Sequence, residues 1–137
     1  MMNNDLSKIQ EILDAFLSGK KYYFNYLTPS QLEDKLPVVY AIFDKETGET
    51  LYVGRTKNLR RRLYTNHLMG PKTNAHLKKY LIEDPMQTSI HTMDDAKNFL
   101  KARCYFQYVS EADNQARGQL EGLLSYLLNV RYIHEEH

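Results

Sequence analysis

The segment from Arg55 to Tyr80 contains eight basic residues and no Asp or Glu. They are Arg55, Lys57, Arg60, Arg61, Arg62, Lys72, Lys78 and Lys79. The rest of the chain holds ten basic residues against 17 acidic ones, so the net charge of +1 conceals a segregated cationic block. Such a block is typical of a surface that binds a polyanion such as nucleic acid. A solvated helix face has charges of the same kind, and the block by itself does not separate the two interpretations.

Two tyrosine-containing tripeptides and one glutamate accompany this block in a fixed order. VVY (38–40) is followed by YVG (52–54), with eleven residues between the two tyrosines, and Arg62 lies eight residues after the glycine. Glu121 lies in a later apolar segment with helical spacing. Each tripeptide alone is weak evidence, because tyrosines in strands are usually packing residues. In this order, with YVGRTKNLRRRL as the second block, the chain resembles the GIY-YIG nuclease superfamily over roughly residues 37–133.

The resemblance implies a metal-dependent endonuclease that hydrolyses DNA phosphodiester bonds. Tyr40 and Tyr52 match the family's active-site tyrosines, and Arg55 lies where members often have a basic residue. Arg62 matches the catalytic arginine, and Glu121 matches the glutamate that binds one divalent ion per active site, Mg²⁺ or Mn²⁺. Tyr40 would orient or deprotonate the attacking water, which requires its neighbours to favour the phenolate, since a free tyrosine has a pKa near ~10. The other basic residues would contact the DNA backbone: Lys57, Arg60, Arg61, Lys72, Lys78 and Lys79.

Two positions depart from the family's pattern. Members usually have His or Tyr four residues after the catalytic arginine, whereas this chain has Asn66 there and His67 beside it. One residue on an α-helix is a rotation of about 100°, so His67 takes the catalytic position only if the helix adjusts locally. Many members have an Asn twelve residues after the glutamate, where this chain has Ile133 with Asn129 nearby. A domain that binds nucleic acid without cleaving it, or that binds an acidic protein, is therefore an alternative.

Glu121 also has a plainer interpretation. Arg117 lies one helical turn before it, and the two side chains can form an ion pair. Gly118 and Gly122 flank the glutamate, and two glycines are costly inside a helix. We expect their bare backbone to give a ligand room to approach the carboxylate.

Hydrophobic periodicity predicts the elements that position these residues. Helices are predicted over about 5–18, 30–36, 58–68, 75–83 and 93–102, the last with a capping box at Thr92 and Asp95. A longer helix follows a second capping box at Ser110 and Asp113. Strands are predicted over 38–43, 50–54 and 104–109, the first two joined as a hairpin. Because VVYAIF is apolar throughout, we expect both faces of its sheet to be covered. The predicted fold is therefore α/β, a small three-stranded antiparallel sheet flanked by helices on both faces.

Length and composition predict one independently folding unit. We expect residues 1–36 to form an N-terminal helical extension packed on a catalytic domain of residues 37–133, with 134–137 as a tail. The extension contains KKYYFNYL, whose lysines and aromatic residues either contact nucleic acid or pack the extension on the domain.

Location and assembly are predicted from simple counts. No run of about 18 apolar residues is present, and the N-terminus does not resemble a secretory signal. With the single Cys104 as well, this predicts a cytoplasmic protein without a membrane partner. Cutting both strands of DNA takes two active sites or two successive events, so a homodimer is one arrangement to consider.

Overall fold

The computed structural model describes residues 2–71 and 75–133. Its helices are α1 (Met2–Leu17), α2 (His76–Glu83), α3 (Met93–Arg103), α4 (Asn114–Leu127) and a π-helix (Arg61–Leu68). Its strands are β1 (Tyr22–Tyr23), β2 (Val38–Asp44), β3 (Thr50–Thr56) and β4 (Cys104–Ser110). Two 3₁₀ turns follow β1, at Phe24–Tyr26 and Pro29–Gln31. Within the described ranges, no helix has both the length and the apolar character needed to cross a membrane.

The four strands form one antiparallel sheet in the order β1-β4-β2-β3. The β2–β3 hairpin and β4 agree with the prediction, whereas β1 corrects the predicted number of three strands. In β1, Tyr22 pairs with Phe106 and Tyr23 pairs with Tyr105. A strand of two residues is too short to show alternation in the sequence, and it forms because β4 offers an open edge. The N-terminal extension thus contributes a strand to the sheet.

Helices cover both faces of the sheet, as predicted. All seven residues of β2 are buried, which explains why this strand does not alternate between apolar and polar residues. On one face, Tyr40 and Ile42 pack with leucines of the π-helix, α2 and α3. On the other face, Val39 packs with Phe16 of α1 and Leu124 of α4. The sheet is therefore the middle layer of three.

One predicted helix start is confirmed and another is wrong. Thr92 accepts a hydrogen bond from the Asp95 amide at 3.1 Å, and the Asp95 carboxylate accepts one from the Thr92 amide at 3.2 Å. This is the predicted capping box. Ser110 instead belongs to β4, where it pairs with Val38, and the cap of α4 is Asp113. Pairing with β2 holds Ser110 in extended backbone, so the helix begins three residues later than predicted.

Residues 30–36, predicted as a short helix, form only a 3₁₀ turn. The Leu32 amide donates to the Pro29 carbonyl at 3.1 Å, and Lys35 then adopts a left-handed φ of 60°, which ends any helical path. Leu32 is buried, and its carbonyl accepts a hydrogen bond from Arg60 Nε at 2.9 Å. Burial and a tertiary hydrogen bond therefore hold this segment.

The segment after α4 covers the outer edge of β3. The backbone amides of Arg131 and Tyr132 donate to carbonyls of β3 at 2.9 and 3.0 Å. The Arg131 guanidinium pairs with Asp84 at 2.6 Å and Glu49 at 3.2 Å, and the Tyr132 hydroxyl donates to Asp84 at 2.6 Å. These contacts protect an edge that would otherwise be open. The predicted tail, 134–137, lies outside the described residues.

Candidate active site

The two strand tyrosines lie side by side on one face of the hairpin. Tyr40 is opposite Gly54, and Tyr52 is opposite Ile42, so the alternation of side chains directs both phenol rings to the face that the π-helix covers. The ring centroids of the two tyrosines are 6.2 Å apart, with an angle of 24° between the ring planes. Both residues are buried, with exposed fractions of 0% and 2%.

Gly54 makes room for the Tyr40 ring. A Cβ atom on this glycine would lie 2.5 Å from the Tyr40 hydroxyl oxygen. Because Tyr40 is fully buried, its ring has little space into which it could move. A glycine is therefore needed opposite the tyrosine for the hydroxyl to keep its position.

His67 completes an aromatic cluster with the two tyrosines. Its ring packs edge-on against Tyr40 and Tyr52, with centroid distances of 5.5 and 5.1 Å. Its Nε2 and the Tyr40 hydroxyl share a hydrogen bond of 2.7 Å. Burial, followed by the charge of Arg62, lowers the pKa of His67 to about 3, so the imidazole is neutral. Its Nδ1 is buried and has no hydrogen-bond partner within the part of the chain that the structure describes.

The π-helix explains how a histidine that is one residue out of register reaches Tyr40. The Met69 amide donates to the carbonyl of Tyr64, five residues earlier, at 3.0 Å. In this i→i+5 geometry the fifth residue, not the fourth, returns above the first. Arg62 and His67 are five residues apart and both reach the tyrosines, whereas on an α-helix they would be about 140° apart. The wide turn is the local adjustment that this spacing requires.

Arg62 places a positive charge beside the buried phenols. Burial raises the pKa of Tyr40 well above its usual value and raises that of Tyr52 to about 12. Arg62 opposes this effect at both residues, because its positive charge lowers the pKa of each phenol. The effect of burial is the larger, so both tyrosines are protonated at neutral pH, and the phenolate considered for Tyr40 is not its form in this structure.

Glu121 extends from α4 to the edge of this cluster. Its Oε1 lies 3.8 Å from Arg55 Nε, and the two side chains are 31% and 52% exposed. Gly118, one turn earlier on α4, leaves space for the Arg55 guanidinium, which a Cβ there would overlap. Gly122, by contrast, has open space around it. Gly118 therefore accommodates Arg55, the arginine that pairs with Glu121.

Arg117, the alternative partner of Glu121, has a structural role instead. Its guanidinium donates to the carbonyls of Glu111 and Ala112 at 3.0 and 3.1 Å and to the side chain of Asn114. The residue is buried and ties the first turn of α4 to the chain before it.

An open pocket of about 150 Å³ adjoins Glu121. Its lining residues are Tyr52, Val53, Glu121, Ser125, Val130, Tyr132 and Ile133. Across residues 2–71 and 75–133, no three His, Cys, Asp or Glu side chains converge as a metal cage. A single, partly exposed carboxylate suits Mg²⁺, which is commonly bound by one or two carboxylates with water and phosphate as its other ligands. The donor set therefore fits a hydrated divalent ion held by Glu121.

The basic block divides between the surface and the interior. Exposed members are Arg55, Lys57, Arg61 and Lys79. Arg60 is partly buried and holds the Leu32 carbonyl. Lys78, which the sequence assigned to DNA, is buried, and its ammonium donates to the Leu68 carbonyl at the end of the π-helix. Lys78 and Lys79 differ because adjacent residues of a helix point about 100° apart. Lys72 lies outside the described residues.

Two further tyrosines, which the sequence analysis did not single out, extend the cluster. Tyr80 lies beside Tyr52 with a centroid distance of 6.4 Å, and Tyr132 stacks on Tyr80 at 5.9 Å. Tyr80 lies three residues after the buried Leu77, and this spacing places both residues on one helix face. The spacing could therefore have indicated from the sequence that Tyr80 faces the cluster. Ile133 borders the pocket beside Glu121.

Asn129, considered as a substitute for the missing family asparagine, has a role in the backbone. It follows α4 with a left-handed φ of 50°, and asparagine is one of the few residues that adopt this conformation readily at the end of a helix.

The comparison with protein families agrees with this geometry. A family model described as the GIY-YIG catalytic domain matches residues 36–111, more than half of the 137-residue chain. The matched range includes Tyr40, Tyr52, Arg62 and His67, whereas Glu121 lies beyond it. None of the curated proteins and none of the solved structures matches the chain. The chain belongs to the GIY-YIG catalytic domain family, whose members are generally nucleases.

Proposed function

We propose that this chain is an endonuclease that hydrolyses phosphodiester bonds of DNA and uses one divalent ion in each active site. The main support is that His67 hydrogen-bonds the Tyr40 hydroxyl within reach of the Arg62 charge, while Glu121 adjoins Tyr52 at a pocket open to solvent. Hydrolysis of a phosphodiester needs groups that orient water, a cation at the phosphoryl oxygens and stabilisation of the leaving oxygen. The residues at this site can meet these needs.

In this proposal Arg62 contacts the scissile phosphate. A planar guanidinium can donate two parallel hydrogen bonds to phosphate oxygens. The charge of Arg62 acts on the Tyr40 hydroxyl, and His67 in turn holds that hydroxyl at 2.7 Å. His67 is therefore a positioning residue, because it acts on the phosphate only through the other two.

The tyrosine hydroxyls would orient the attacking water. Tyr40 and Tyr52 are protonated in this structure, so each hydroxyl can both accept and donate a hydrogen bond. For Tyr40 to accept a proton from water, its pKa must fall when the substrate binds. The charge of Arg62 already lowers it, and displacement of Arg62 by substrate would cancel that effect. The proposal therefore requires Arg62 to stay close enough to Tyr40 to lower its pKa while it contacts the phosphate.

Glu121 would hold the divalent ion, Mg²⁺ or Mn²⁺. When bound, such an ion stabilises negative charge on the phosphoryl and leaving oxygens. Arg55, 3.8 Å from the Glu121 carboxylate, partly neutralises it and adds a second guanidinium to the same pocket. The exposed Lys57, Arg61 and Lys79 would contact the DNA backbone, so binding should weaken as salt concentration rises.

A domain that binds DNA without cleaving it is the second candidate, and Ile133 favours it. This residue is 66% exposed and lines the pocket beside Glu121, at the position where many family members have an asparagine. An isoleucine side chain supplies neither a donor nor an acceptor to a phosphate or a hydrated ion. The cationic surface would keep its affinity for DNA in that case.

The deciding experiment is nicking of a supercoiled plasmid with Mg²⁺, with Mn²⁺ and with a chelator. Wild type is compared with Glu121→Ala and with the control Glu11→Ala, which removes an exposed glutamate of α1. The proposal expects metal-dependent nicking by wild type and Glu11→Ala and none by Glu121→Ala. Protein that retards the plasmid on a gel but nicks it with neither metal supports the second candidate. Failure to retard DNA at low salt indicates a protein partner.

A further inference from the structure

A second surface, at the N-terminal edge of the sheet, combines exposed lysines with exposed aromatic rings. It lies in KKYYFNYL, before the residues that match the family. An open pocket of about 130 Å³, here named the lysine–tyrosine pocket, is lined by Lys20, Lys21, Tyr22, Tyr23, Tyr26 and Gln31. None of these lining residues is acidic. The active site described above uses none of them.

The tyrosines of this pocket are anchored and yet accessible. Tyr26 is 75% exposed and Tyr23 is 38% exposed. The Tyr23 ring packs against Tyr105 with a centroid distance of 5.4 Å, and Tyr22 stacks on Phe106 at 5.3 Å. Pairing of β1 with β4 fixes the backbone of both strand tyrosines. A planar ligand that stacks here would therefore meet rings that are already ordered.

Three ammonium groups lie against these rings. Lys20 Nζ is 4.9 Å from the Tyr22 centroid. Lys21 Nζ is 5.0 Å from the Tyr105 centroid. Lys45 Nζ is 6.0 Å from the centroid of the Tyr23 ring. These distances fall within the range of cation–π contacts, which keep the positive charges beside the aromatic faces.

The acidic residues that flank Lys45 share one guanidinium. Asp44 and Glu46 each pair with Arg103 at 2.6 Å. Arg103 balances one of these carboxylates and Lys45 balances the other, so the excess positive charge at this edge comes from Lys20 and Lys21. The edge of the sheet therefore offers a group of cations to an anionic ligand.

We propose that the lysine–tyrosine pocket binds unpaired nucleotides of single-stranded DNA. The bases would stack on Tyr23 and Tyr26, and the phosphates would contact the lysines, which is the combination that single-strand binding proteins use. Bases of a duplex are already stacked on one another and present no free face to a tyrosine. The pocket should therefore distinguish single strands from duplex, unlike a surface of lysines alone.

The pocket is separate from the candidate active site. Along one row of the sheet Tyr22 pairs with Phe106, Phe106 with Ile42, and Ile42 with Tyr52. Three strand spacings separate Tyr22 from Tyr52, a distance of about 14 Å. Binding at this edge does not require cleavage, so the inference holds whether or not the chain is a nuclease.

The test is fluorescence anisotropy of the full chain with labelled oligothymidylate and, separately, a blunt duplex, both in chelator. The variants are Tyr26→Ala and Tyr26→Phe, and the control is Tyr126→Ala, which removes a tyrosine that is 85% exposed on α4. We expect Tyr26→Ala to weaken single-strand binding about tenfold, while Tyr26→Phe, Tyr126→Ala and all duplex affinities stay near wild type. Lys20→Ala should also weaken single-strand binding, compared with Lys101→Ala on α3.

Three results of direct binding and one of competition would overturn the inference. The direct-binding results are wild-type protein that does not bind the oligothymidylate, unchanged binding by Tyr26→Ala, and an equal loss for Tyr126→Ala. If polyglutamate displaces the oligothymidylate as effectively as unlabelled DNA does, the pocket recognises charge alone, which also contradicts it. Because no cleavage takes place in chelator, failure of the proposed nuclease activity does not affect these outcomes.

Discussion

His67 hydrogen-bonds the Tyr40 hydroxyl, and Arg62, five positions earlier in the chain, exerts its positive charge on the same group. The π-helix Arg61–Leu68 makes this possible, because it returns the fifth residue above the first. Single π turns are rare and frequently occur at functional sites. In this chain the wide turn brings the Arg62 guanidinium and the neutral His67 imidazole to the same side, near the buried phenol of Tyr40.

Exchanging two neighbouring residues tests the register of the π-helix. The double variant Asn66→His with His67→Asn keeps the composition but moves the imidazole by one position. If the π turn is retained, the new histidine no longer meets Tyr40, and we expect nicking to fall on the order of a hundredfold. The plasmid assay measures this effect, with Asn66→Ala as the control that should stay active. A double variant as active as wild type would show that the turn does not set the position of the imidazole.

Replacing Gly54 by alanine tests the packing of Tyr40. The added Cβ would lie 2.5 Å from the hydroxyl, so the ring must shift and its hydrogen bonds must lengthen. We expect the free energy of unfolding to decrease by about 1–3 kcal/mol and nicking to decrease with it. Gly122→Ala is the matched control, because its Cβ meets open space and the substitution should stabilise α4 by up to about 1 kcal/mol. Urea denaturation distinguishes these results, and equal effects of the two substitutions would contradict the packing argument.

The stability of the protein should depend on pH through His67. Its pKa is about 3 in the folded protein and near 6.5 in an unfolded chain, so the unfolded state takes up the proton first as pH falls. The stabilisation from this residue is fully present above about pH 6.5. It is lost progressively as the pH falls from there to about 3, with a slope of up to about 1.4 kcal/mol per pH unit. Urea denaturation of wild type and His67→Phe between pH 7 and 5 isolates this effect, since few carboxylates titrate there. Parallel pH dependences in the two proteins would mean that His67 is not held neutral by folding.

Adjacent lysines of α2 should give opposite results when they are substituted. Lys78→Met removes the donor to the Leu68 carbonyl at the end of the π-helix and should destabilise the protein by about 1–3 kcal/mol, with DNA affinity unchanged while the protein is folded. Lys79→Ala removes an exposed charge, which should change stability by less than about 0.5 kcal/mol.

The salt dependence of DNA binding separates the two lysines further. Loss of one phosphate contact in Lys79→Ala should make the slope of log K against log salt shallower by about 0.9. Urea denaturation and a salt titration of anisotropy measure both properties on the same samples. A loss of DNA affinity in folded Lys78→Met would show that Lys78 contributes to DNA binding.

The sequence by itself determined the local elements and the order of the site residues. The hairpin of β2 and β3 is present because an apolar run, a turn and a second β-rich run follow one another directly. The capping box of Thr92 and Asp95 is present because its hydrogen bonds join residues three apart. The spacing of Tyr40, Tyr52 and Arg62 along the chain identified the family that the comparison with known families confirmed. Such features depend on neighbours in the chain and can be inferred from it.

Only the tertiary structure decided which groups meet. Tyr22 and Tyr23 became a strand because β4 presents an edge to them, although Tyr22 lies 84 positions before its partner Phe106 in the sequence. Lys78 became a buried cap because the end of the π-helix lies against α2. Glu121 pairs with Arg55 because Gly118 leaves room for the guanidinium. Each of these contacts depends on the packing of segments distant along the chain, which local periodicity does not record.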